Sequence, residues 1–82
     1  MHDEPVGSIV WRDLTVDDAE RVSKFYEEVV GWTRDPVSMG AYNDFNMMAE
    51  GASDPTAGVC HARGPNAGLP AQWLMYVRVA DV

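Results

Sequence analysis

Few side chains in this sequence can do chemistry, and they cluster in short stretches. The chain holds one cysteine, Cys60, and two histidines, His2 and His61, and Asp13 stands within an otherwise apolar run. Cys60 and His61 are neighbours, so on an extended strand they point to opposite faces: Gly58, Cys60 and Ala62 share one parity, and Val59, His61 and Arg63 the other. The smaller set suits the underside of a helix, which directs His61 to the open side as a hydrogen-bonding or acid/base group titrating near neutral pH. The alternative for His61 is a histidine simply satisfied at a sheet end. Asp13 shares its parity with Trp11, and a carboxylate there must face water or a donor, because burying it unpaired is costly. Arg78, on the repeat-equivalent face of the last strand, is one candidate donor, paired with Asp13 across a dimer cavity. Along 41–49, Tyr42, Asp44, Asn46 and Met48 fall on one parity, and Phe45, Met47 and Ala49 on the other, which reads as core. Trp11, Asp13, Asn46, Met48 and His61 therefore make the candidate ligand-binding set, an aromatic surface with a few polar anchors of the kind that lines small-molecule pockets. Trp32, Trp73 and the remaining methionines read as packing, and His2, near the chain start, is given no role.

Several chemistries lack their signatures. No Ser-His-Asp order, phosphate-binding glycine loop or zinc spacing occurs, and Gly64-x-x-x-Gly68 is turn chemistry in a proline-flanked stretch. One cysteine rules out an intrachain disulfide and fits a reducing compartment. Six basic against thirteen acidic residues give a net charge of −7, which repels phosphate backbones and anionic lipid surfaces, so neither nucleic acid nor membrane is an expected partner. No run is long enough for a membrane span, and the opening Met-His-Asp-Glu-Pro lacks the basic and apolar regions of a signal peptide. The expected location is the cytoplasm.

The elements that must position these groups are legible from periodicity. Gly7 to Val16 reads as a strand with two different faces. The period then changes: Ala19, Val22, Phe25, Tyr26, Val29 and Val30 recur at helical steps, opposite Glu20, Arg21, Lys24, Glu27 and Glu28. Thr15 and Asp17 offer capping oxygens with an acid three residues on, and Gly31 sits where a left-handed stop residue belongs. Strand-like pieces follow at 32–37, 41–49, 58–62 and 72–79, separated by Ser38-Met-Gly40, by Gly51 to Pro55, and by a longer loop from Gly64 to Pro70 that crosses between halves. The order is βαβββ plus one further strand. With 82 residues the chain is one domain with a small core, burying about 60% of its unfolded surface.

The last strand echoes the first. WRDLTVDD beside LMYVRVAD, at an offset of about 63 residues, keeps apolar and polar positions largely in phase. The domain, 1–82, thus divides into a module at 7–62, a linker at 63–71 and the start of a second repeat at 72–82.

A βαβββ unit with an acid-capped helix ending Phe25-Tyr26-Glu-Glu-Val-Val-Gly31-Trp32, and a restart at Val77-Arg-Val-Ala-Asp81, resembles the vicinal oxygen chelate superfamily, which includes glyoxalase I, bleomycin-resistance proteins and extradiol dioxygenases. The resemblance covers nearly the whole chain. It implies an α+β fold in which a half-barrel sheet packs on one helix and a second module, from a homodimer partner or from missing sequence, closes a shared cavity. The ligand positions of the metal-dependent members fall on Trp11 and Leu74, neither of which offers a donor to a divalent cation. No cofactor is therefore expected, and the implied function is metal-independent binding of a small organic molecule. The alternatives are a metal-dependent lyase or dioxygenase of the same family, and an assembly half-module without catalytic activity.

Overall fold

The structure, a computed structural model, describes residues 4–80; His2, Asp81 and Val82 lie outside them. It is α+β, with one helix on one face of a five-stranded mixed sheet. The elements are β1 (Ile9–Val16), α1 (Ala19–Val30), β2 (Thr33–Ser38), β3 (Asn43–Met48), β4 (Ala57–His61) and β5 (Trp73–Val77), each within a few residues of its expected place. The strand order is β2-β3-β4-β1-β5. After β1 the helix carries the chain to the far edge, from which β2, β3 and β4 return as an antiparallel meander until β4 lies parallel to β1. The 62–72 connection, with a short 3-10 turn at Gly64–Asn66, then passes the end of β1 and delivers β5 antiparallel to its other side.

The cap of helix α1 falls one residue after Asp17 and three after Thr15, the expected caps: the carboxylate of Asp18 accepts from the Arg21 N–H at 3.1 Å. It stops at Gly31, whose φ of 86° is the left-handed conformation that glycine adopts without a Cβ penalty. Its Ala19 is buried with Phe45, Met47, Ala57 and Val59 of the sheet, and Val16, Val22, Tyr26 and Trp32 pack around them. The apolar stripe of the helix is rotated from its expected setting. Ser23 is buried, whereas Phe25 and Val29 are 54% and 65% exposed. The cause is electrostatic as well as steric: Arg34 of β2 pairs with Glu20 at 2.8 Å and Glu27 at 3.2 Å, drawing the acidic side of the helix down onto β2.

Strand β4 requires a second correction. Val59, opposite Leu14 and Phe45, is fully buried in the core, so Gly58 and Cys60 occupy the face away from the helix. This reverses the parity that was to bring His61 beside Trp11. The physical reason is volume: the space under the helix takes the branched Val59, while on the other face the indole of Trp11 lies over Gly58, where a Cβ would come within 3.1 Å of the ring.

Candidate functional site

The sheet face opposite the helix brings together candidate residues from four of the five strands. Alternation along the strands and the pairing register place Trp11, Asp13 and Thr15 of β1, Gly58 and Cys60 of β4, Asp44, Asn46 and Met48 of β3, and Leu74 and Tyr76 of β5 on it. Asp13 is its centre. One carboxylate oxygen accepts from the Trp11 indole N–H at 3.3 Å, and the other from the Tyr76 hydroxyl at 3.3 Å. Within the chain, the Arg78 backbone closes the β1–β5 ladder against Gly7 and Ser8.

The carboxylates shape the titration of their neighbours. The negative charge of Asp13, then desolvation and the shared hydrogen bond, raise the Tyr76 phenol above its usual range. Burial, reinforced by the charges of Asp44 and Asp13 and a hydrogen bond to Asp44, pushes the Cys60 thiol up from 9.0 to about 12. Cys60 is thus a neutral thiol near pH 7 and a poor nucleophile, since thiolate is the reactive form. Asp44, 8% exposed, accepts the His61 backbone N–H at 2.8 Å, which offsets its burial.

Four of the five sequence candidates, Trp11, Asp13, Asn46 and Met48, share this face. His61 does not. It sits at the end of β4, with Nδ1 2.8 Å from the Asn43 carbonyl and its ring edge-on to Tyr42 at 5.4 Å. A carbonyl only accepts, so Nδ1 carries the proton there, and the arrangement is that of a histidine satisfied at a sheet end. Tyr76 and Cys60 were missed as members of the site. The 63-residue offset held the signal for Tyr76, because it carries Asp13 onto Tyr76; the assumed parity of β4 hid Cys60.

The β1–β5 ladder pairs Trp11 with Tyr76, Arg12 with Met75 and Asp13 with Leu74.

The recessed surfaces lie elsewhere. A groove of about 480 Å³ runs between the end of β1 and the outer side of α1, lined by Val16, Asp18, Arg21, Val22, Phe25 and Tyr26. A smaller one of about 260 Å³ surrounds Arg34. The Asp13 face presents hydrogen-bond acceptors, aromatic side chains and a neutral thiol. Among the described residues, no group of three or more His, Cys, Asp or Glu side chains is placed to hold a metal ion, and no helix is long and apolar enough to cross a membrane.

The chain is similar to proteins named "Putative glyoxylase CFP32" in Mycobacterium bovis and Mycobacterium tuberculosis, at 31% identity over 75 residues. The match covers 92% of this chain and 28% of each relative, so the chain spans little more than a quarter of their length. No family-wide sequence profile matches it, and no solved structure does. The similarity and the α+β architecture agree with a glyoxalase-like relationship.

Proposed function

We propose that this chain is one module, with the opening strand of a second, of a cytoplasmic glyoxalase-like protein that binds a small organic molecule on the sheet face opposite the helix. The observation that carries the reading is the Asp13 constellation: a carboxylate held by Trp11 and Tyr76 from adjacent strands, flanked by Asn46, Met48 and Leu74. Aromatic surface with a few fixed polar anchors is what small-molecule sites are made of. In this reading β5, antiparallel to β1, is the opening strand of the second module.

The site works without a divalent ion in this reading. Trp11 and Leu74, at the positions where metal-dependent relatives of this architecture carry ligands, have no donor to offer. Its ligand is neutral or cationic, since Asp13 and Asp44 repel an anion and the strand residues on that face include no lysine or arginine. The face is open on one side, and a second copy of the chain supplies the wall that encloses the ligand.

Tryptophan fluorescence titrated with small aromatic amines, beside the metal content of protein purified without chelators, tests this. Saturable quenching that is lost in Trp11→Phe, with less than stoichiometric metal, is the expected result. No response, or a stoichiometric divalent ion needed for binding, would overturn it.

A further inference from the structure

Strand β2 comes from the middle of the chain and forms the sheet edge opposite β5, paired on one side only, with β3. In an antiparallel ladder alternate residues turn both backbone groups toward the neighbouring strand, and the residues between them turn both away. Observed bonds fix the phase here. Opposite Arg34 stands Met47, whose carbonyl is turned the other way, accepting the Thr56 N–H at the start of β4. Just past the strand, the Met39 N–H turns inward to the Tyr42 carbonyl. Asp35 and Val37 therefore face β3, whereas Arg34, Pro36 and Ser38 face outward.

A strand edge normally offers another chain a row of N–H donors alternating with C=O acceptors. On β2 the donors are removed in turn. The outward N–H of Arg34 donates to Glu27 Oε2 at 3.1 Å, and Oε1 of the same carboxylate lies 3.2 Å from Arg34 Nε. The guanidinium is itself held by Glu20 at 2.8 Å and lies over the Phe45 ring at 5.2 Å. Next in the row is Pro36, which has no N–H. That leaves Ser38, the last residue of the strand.

We infer that Glu27 and Pro36 together close the β2 edge to other chains, the Glu27 carboxylate standing in for the carbonyl of an absent neighbouring strand. An incoming strand meets the outward carbonyls of Arg34 and Pro36 without the donors that should alternate with them. Its own carbonyls would leave water there and gain no bond, which is costly. This closure goes beyond the ligand-binding reading and does not depend on it.

Amide hydrogen exchange and light scattering test it. In the wild type, the Arg34 amide should be protected like those of Asp35 and Val37, although it points away from the sheet. Glu27→Ala should speed exchange at Arg34 by about tenfold or more, as expected for loss of a bond to a charged acceptor, and should leave Asp35 and Val37 protected. Adding Pro36→Val to Glu27→Ala restores the donor row, and the folded double variant should grow in mass with concentration beyond the wild type. Met47→Val, weakened in the core with its edge intact, should keep the wild-type mass. Rapid exchange at Arg34 in the wild type would overturn the role of Glu27 whether or not any variant folds. A folded double variant of wild-type mass, or a Met47→Val protein that assembles as readily, would overturn the closure. If the double variant does not fold, Pro36→Val alone carries the same test at higher concentration: mass above the wild type supports the inference, and wild-type mass overturns it.

Discussion

Replacing Gly58 probes the floor of the site, and the outcome can be worked from the geometry. An alanine Cβ at this position falls 3.1 Å from Trp11 Cζ2 and 3.4 Å from Asp13 Cβ. The first contact is too short, so the indole must lift by a few tenths of an ångström. Overpacking of this kind costs about 1–3 kcal/mol. Alanine in a strand recovers about 0.5–1 kcal/mol through the lower entropy of its unfolded state. Trp11 is only partly buried and can tip toward solvent, so Gly58→Ala should lose about 0–1 kcal/mol overall. Valine adds two methyl groups under the same ring and should lose about 2 kcal/mol. In a domain this small, each kcal/mol moves the melting temperature by about 4–8 °C, so the valine variant should melt about 8–16 °C lower. Thermal denaturation measures the loss, and the Trp11 indole N–H resonance reports whether its bond to Asp13 survives. The resonance should move in both variants. A valine variant that melts with the wild type and leaves this resonance in place would refute the stacking of Trp11 on Gly58, and with it the parity of β4.

Other consequences follow from the same packing and charges. Met47, fully buried at the centre of the core, should cost about 2–5 kcal/mol on truncation to alanine. That is a large part of the roughly 4–12 kcal/mol that a chain of this length commands, and urea unfolding will read it. Cys60 should label slowly at pH 8, at a rate that rises sharply on denaturation. Because its thiol ionises at 9.0 when unfolded but only near 12 in the fold, the unfolded state loses its proton first, and the stability it contributes is full below pH 9 and declines between pH 9 and about 12. Cys60→Ala should flatten that decline in pH-dependent unfolding. Asp13→Asn should bring the Tyr76 phenol down toward its ordinary titration range, read as an alkaline ultraviolet difference spectrum.

Most of the architecture was legible because each element carried its own period or punctuation. The Gly31 stop, the apolar parity of Phe45 and Met47, and the order of elements along the chain all needed only local signals. The setting of the helix was not local. Which of its sides met the sheet depended on Arg34, fourteen residues beyond Glu20, and amphipathic spacing alone does not reveal that pair. The parity of β4 was likewise decided across the sheet: Gly58 is small because Trp11 lies on it, whereas the sequence alone suggested a small residue under the helix. Trp11, Asp13, Asn46 and Met48 came together as expected because β1 and β3 are regular, and His61 dropped out with the one strand read in the wrong phase.

The central claim is that the sheet face around Asp13 receives a small molecule. Titrating isotopically labelled protein with a panel of neutral and cationic aromatic compounds, and following the amide resonances together with the indole N–H of Trp11, tests it most directly. The prediction is that shifts concentrate at Trp11, Asp13, Asn46, Gly58 and Tyr76. Shifts confined to the groove between Val16 and Tyr26, or a spectrum that no compound disturbs, would contradict it.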